Sequence, residues 1–372
     1  MINKQKIPFS FPVFAALLVT GLWGCLLIYA ARAYGTEPLL MVKRQLLWLL
    51  VGLGILFCGS LIPFRKLLEW RYYIGGSMIF ILLWTLIGGE KVNGMRGWLV
   101  LCDFIRIQPS EFAKSAFLLV CCVFGADKTF SRWKRFLLLS VTAFIFWILV
   151  VLQPDFGSAF IYLAGFLIVL YLSGGSWREF LVSVGCACIG LGGFLLWKQY
   201  SFDRILGFFN PDSNMARSAW HLQQFRYTLA QGGMTGSDHN GALWANAYLP
   251  LPHSDSLFAT IVESSGFLGG MIVIGSFCVI AFVFVRYSMK QDLIPEARIF
   301  IASAALMYLT QALLHISVNV LLLPPTGITL PFLSYGGSSL CSTLLSFGLA
   351  ASASVCRKTE KEITAIPGSA GE

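Results

Sequence analysis

The chain alternates between long apolar runs and short polar joins. Apolar runs of spanning length occur near residues 11–31, 44–62, 72–88, 109–126, 136–152, 155–173, 179–197, 257–285, 299–320 and 333–355. A bilayer core takes about 20 helical residues to cross. Backbone groups in lipid find no water, so a spanning segment must close its hydrogen bonds internally, as a helix does. The pattern predicts an all-α, polytopic membrane protein with about ten transmembrane helices. One join is far longer than the rest: residues 198–256 predict a large extracytoplasmic loop between helices seven and eight. Inside it, Ala219–Leu229 has mixed polarity and predicts a short interfacial helix. Residues 1–356 read as one transmembrane domain and 357–372 as a polar cytoplasmic tail without fixed structure. The first run, Phe11–Ala31, exceeds the roughly 7–15 residues of a signal-peptide core and predicts an uncleaved helix.

Composition agrees. Only 12% of residues are charged, against about 25% in soluble chains. The net charge of +9 raises the question of nucleic acid, but no basic cluster is interleaved with exposed aromatics. Its placement answers better to membrane topology. With the N-terminus inside, every second loop is cytoplasmic, and those regions hold 16 of the 27 Lys and Arg residues. That bias puts both termini in the cytoplasm. Most of the ten cysteines lie within apolar runs, without metal spacing, and read as small packing residues. Four histidines make a histidine-built metal site improbable, and no P-loop, HExxH or zinc pattern occurs.

Four polar constellations interrupt the apolar pattern. Gln108-Pro109-Ser110-Glu111, followed by Lys114, opens a helix with proline and an acid. Glu111 and Lys114 share a helix face, so they form either a cap or the lining of a polar cavity. Gln153-Pro154-Asp155-Phe156-Gly157 repeats the device, and capping explains Asp155 equally well. Leu249-Pro-Leu-Pro-His253-Ser254-Asp255 ends the long loop as it enters a helix. There Asp255 is either an N-cap or a carboxylate partly withdrawn from water and able to accept a proton. Leu330-Pro-Phe-Leu-Ser334-Tyr335-Gly-Gly-Ser-Ser339 follows Pro324-Pro325-Thr326-Gly327 and, alone, reads as a packing or re-entrant element.

In this order and spacing, the segments resemble the SEDS family of shape, elongation, division and sporulation proteins, the FtsW/RodA type. The likeness runs from about residue 40 to 355 and includes Gly94, Trp98, Arg204, Pro211 and Gly232-Gly233. Departures occur at Gly97, where the family usually has Arg, at Gly236-Ser237-Asp238 in place of Gly-Lys-Gly, and at Ser264. Val92-Asn93-Gly94 and Gly327–Pro331 lean toward the division type. The resemblance implies a peptidoglycan glycosyltransferase acting on lipid II at the outer face of the inner membrane. It implies Asp255 as the essential acid and a class B penicillin-binding protein as transpeptidase partner. The expected substrate-binding set is Arg204, Lys114, Glu111, Gln108, Asp155, Arg217, Arg226, His253, Ser334 and Tyr335. Lys114 and the loop arginines are candidates to meet a leaving pyrophosphate, or to help a divalent cation (Mg or Mn) do so. Two other readings stay open from the residues: a lipid-precursor flippase or transporter, and a non-catalytic scaffold of the cell-wall complex.

Overall fold

The computed structural model describes residues 11–32, 38–92, 95–102, 105–197, 208, 216–237 and 241–358. Among these, ten helices occupy the ten apolar runs. They are α1 (Phe11–Arg32), α2 (Pro38–Leu61), α4 (Arg71–Gly88), α5 (Pro109–Ala126), α6 (Arg132–Leu152), α7 (Phe156–Leu172), α8 (Trp177–Trp197), α11 (Leu257–Ser288), α12 (Pro295–Asn319) and α13 (Gly337–Ala353). Three shorter helices join them: α3 (Phe64–Glu69), α9 (Ala216–Gly232) and α10 (Leu243–Tyr248). The mixed-polarity segment of the long loop is therefore helical, over a longer stretch than expected.

The helices sort by burial. In α5 and α12, 78% and 72% of the spanning window is buried, against 22% in α2 and 17% in α4. The central pair packs on each other, with α7 and α13 also against them. The outer helices turn Leu47, Leu50, Phe57, Phe80 and Ile87 outward. An apolar exterior of this extent is stable only against lipid. Among the described residues, six helices are long and apolar enough to cross a membrane, with shorter apolar ones in α1, α7 and α13.

One join carries structure that hydropathy does not announce, and one helix boundary needs correction. The join between α4 and α5 is not plain loop. It folds as a three-stranded antiparallel sheet, β1 (Glu90–Val92), β2 (Met95–Cys102) and β3 (Ile105–Ile107), in the order β1-β2-β3. Its strands have three, eight and three residues, too short to announce themselves by alternation. The last spanning helix starts at Gly337 and not at residue 333. Ser334 and Tyr335 thus belong to the turn before it.

Helix α11 is broken. Gly266 has φ 70° and ψ −172°, outside the helical region. The turn after α9 fills the break. Phe267 N–H donates to Gly233 O at 3.0 Å, Leu268 N–H to Met234 O at 3.2 Å, and Ser237 N–H to Glu263 O at 2.8 Å. A Cβ on Gly266 would stand 2.3 Å from Met234 O. Only glycine permits both the conformation and the approach.

The bundle has two unlike ends. One gathers the sheet, the α9 turn and the four polar constellations. The other gathers cations: Arg132 pairs with Glu179 at 3.1 Å and Arg357 with Asp292 at 3.4 Å. There the segment after α13 is stitched to the α11–α12 join by Ile294 N–H to Cys356 O and Lys358 N–H to Asp292 O, while Arg65 donates to Arg357 O.

Candidate active site

The QPSE segment starts α5 with proline at its first turn. Glu111 is no capping-box residue. Its Oε1 accepts from Lys114 Nζ at 2.6 Å, and its Oε2 accepts from Ser342 of α13 at 3.3 Å. Lys114 is wholly buried and donates also to Gln311 Oε1 of α12 at 2.9 Å. The pair therefore ties α5, α12 and α13 together in the core. Lys114 offers no exposed charge to a headgroup. An ion pair taken out of water holds only if its remaining donors and acceptors are met, and here Gln311 and Ser342 meet them.

Asp155 caps α7. Its Oδ1 accepts from Ser158 N–H at 2.9 Å, and its Oδ2 accepts from Ser158 Oγ at 2.6 Å and Gln108 Nε2 at 2.9 Å. The backbone N–H of Gln108 donates to Ser338 Oγ at 3.0 Å. Three of the four constellations are thus joined: QPSE, QPD and the Gly-Gly-Ser-Ser turn.

The fourth is joined through backbone. Tyr335 N–H donates to His253 O at 2.9 Å, and Ser334 Oγ donates to Ser254 O at 2.8 Å while accepting from Leu330 N–H. The rings of His253 and Tyr335 meet edge to face at 5.5 Å. His253 is buried, so it braces the loop from within.

Asp255 stands in the turn before α11, whose N-cap position is Ser256. The N-cap reading of Asp255 therefore falls. Its Oδ1 accepts one bond, from Ser254 Oγ at 3.0 Å. Its Oδ2 faces Gly327, where even an added Cβ would lie 3.8 Å away. Among the described residues it pairs with no cation. Burial pushes its carboxyl above the ordinary aspartate range, against the Ser254 bond that favours the charged form. The raised proton affinity makes this carboxylate a better proton acceptor than an ordinary aspartate.

The remaining predicted residues are placed by exposure or backbone alone, or fall outside the described residues. Arg226 is exposed on α9. Arg217 lies in the first turn of α9. Arg204 falls outside the described residues, as do Gly94 and Pro211. Glu263 anchors α10, accepting from Trp244 N–H and Ala245 N–H, each at 2.7 Å. Among the described residues no three His, Cys, Asp or Glu side chains gather into a metal cage.

Sequence reasoning missed Gln311, His315 and Asn319. They stand four apart on α12, and all three are buried. Gln311 Nε2 donates to Thr329 O at 3.1 Å, His315 Nδ1 lies 2.7 Å from Ile328 O, and Asn319 Nδ2 donates to Asp255 O at 3.0 Å. A polar stripe repeating every four residues in an apolar run was the available signal.

Comparisons with known proteins give the family and the fold. The FtsW/RodA/SpoVE family, described as cell cycle proteins, matches residues 9–359. Stage V sporulation protein E of Bacillus subtilis is 29% identical over 364 residues, covering 94% of this chain and 97% of that protein. A protein of Trichlorobacter lovleyi named as a probable peptidoglycan glycosyltransferase FtsW is 30% identical over 373 residues, covering 94% and 95%. Among solved structures, a chain of a peptidoglycan synthase complex superposes with a TM-score of 0.77 at 24% identity, covering 92% of this chain and 96% of that one. The rod shape determining protein RodA of Thermus thermophilus gives 0.71 at 24% identity, covering 95% and 98%. With the model matched along nearly the whole chain, this membrane protein belongs to the FtsW/RodA/SpoVE family of cell cycle proteins.

Proposed function

We propose that the chain is a peptidoglycan glycosyltransferase that polymerises lipid II, with Asp255 as general base. The observation that carries this reading is the setting of Asp255. Its backbone is clamped, its carboxylate faces a glycine, and burial raises its proton affinity. Relatives named as peptidoglycan glycosyltransferases support the chemistry.

The step is a single inverting displacement. Asp255 takes the proton from the acceptor sugar's 4-hydroxyl as its oxygen attacks the donor's C1. The C1–oxygen bond to the pyrophosphate breaks, and the electron pair leaves with the diphosphate. An α-linked donor thereby gives a β-linked strand. A positioned base contributes about 10²–10⁴-fold. The polar end of the bundle faces outward across the cell's inner membrane, the cationic end faces the cytoplasm with both termini, and prenyl tails lie against the apolar helices. A class B penicillin-binding protein supplies crosslinking; the structural likeness to a chain of a peptidoglycan synthase complex is in keeping with that.

The test is glycan-chain formation from purified lipid II. Asp255→Asn should remain folded and lose at least about a hundredfold in rate. Normal polymerisation by that variant would remove the base assignment.

A further inference from the structure

We propose that Asn319 is a positioning residue for Asp255. The inference rests on the reading of Asp255 as the base. Asn319 is fully buried at the end of α12. Its amide is used on both sides. Nδ2 donates to Asp255 O at 3.0 Å and to His315 O at 2.9 Å, while Oδ1 accepts from Ala259 N–H at 3.1 Å. Ala259 is the third residue of α11, so its N–H is one of the donors a helix start leaves without an intrahelical partner. One rigid planar group thus fixes both the peptide carrying the base and the helix that follows it.

The same helix holds the opposite wall. His315 Nδ1 lies 2.7 Å from Ile328 O; a carbonyl only accepts, so Nδ1 carries the proton. Ile328 follows Gly327, the residue that faces Asp255 Oδ2. Gln311, one turn further back, holds Thr329 O and Lys114. From a single rigid face, α12 therefore fixes the distance between the carboxylate and its wall. Asn319 is the only member of the stripe whose side chain bonds the Asp255 peptide itself.

The consequence is kinetic. Misplacing a reacting group by about 1 Å from a distance can cost roughly 10²-fold. Substrate contacts are untouched, so kcat should fall while KM holds. Full-length wild type, Asn319→Ala, Asn319→Asp and Asp255→Asn are compared in lipid II polymerisation, with melting followed in detergent. Asn319→Asp is isosteric: it keeps the acceptor for Ala259 and loses the donor to Asp255. Both Asn319 variants should lose roughly 10- to 100-fold in kcat with KM within about twofold. Wild-type kcat in either folded variant overturns the proposal. So does a matched rise in KM without loss of kcat. If neither variant folds, Asn319 is a determinant of the fold and the proposal fails. Asp255→Asn separates the two claims. If it is inactive while the Asn319 variants turn over normally, only the positioning role is lost. If it is active, the base assignment falls first.

Discussion

At the scale of single residues, the proposed chemistry turns on how few bonds the Asp255 carboxylate makes among the described residues. Among the described residues its one side-chain donor is the Ser254 hydroxyl, which stabilises the charged form against the pull of burial. Removing that donor in Ser254→Ala should raise the carboxyl's pKa further. A base works deprotonated, so activity falls as pH drops through that pKa. The acid limb of the pH–kcat/KM profile should therefore move to higher pH in Ser254→Ala, and in the wild type it should already lie above the ordinary aspartate value of about 3.9. A limb that stays put would dissociate Asp255 from the rate. Lys114 presents the opposite case, a charge fully spent inside the protein. Lys114→Met strands Glu111 in the core and should cost about 3–5 kcal/mol of stability, read as a fall in melting temperature in detergent. Adding Glu111→Gln should restore much of that loss, because the uncompensated charge is then gone.

At the scale of elements, the break in α11 explains a pair of motifs that sequence treats separately. Gly232-Gly233 ends α9, and Gly266 lies far along another helix, yet the turn of one supplies the hydrogen-bond partners that the other lacks. Gly266→Ala puts a methyl 2.3 Å from Met234 O at a left-handed φ. The strain alone is worth about 1–3 kcal/mol, and the clash adds to it. The expected result is a lower melting temperature and faster amide exchange in residues 233–237. Such features divide what sequence can show from what it cannot. The helices were legible, because hydropathy over twenty residues is set by lipid and needs no partner. The short strands after Gly89 were not, since their pairing lies in backbone contacts. Asp255 was legible as an acid at a loop–helix border, and its role came from the family resemblance. Its supports were not: Asn319 reaches a carbonyl 64 positions away, and nothing in residue spacing encodes that meeting. The polar stripe on α12 was visible as spacing and went unread.

At the scale of the whole molecule, the outer helices face lipid and the central ones carry the polar contacts, so the site hangs on a core that water does not reach. The two ends are held by different means. Polar side chains and glycine turns join the helices at the end bearing Asp255. Main-chain bonds from the segment after α13 join them at the other, where Leu293 also pairs with Arg357 across an isolated bridge. That segment works as a latch: a few residues of extended chain bind the start of α12, the join before it and, through Arg65, the short helix after α2. A chain cut after Lys358 keeps every one of these bonds, whereas one cut after Ser354 loses them together. The shorter chain should melt lower in detergent than the longer, although the two differ by four residues that touch nothing near Asp255.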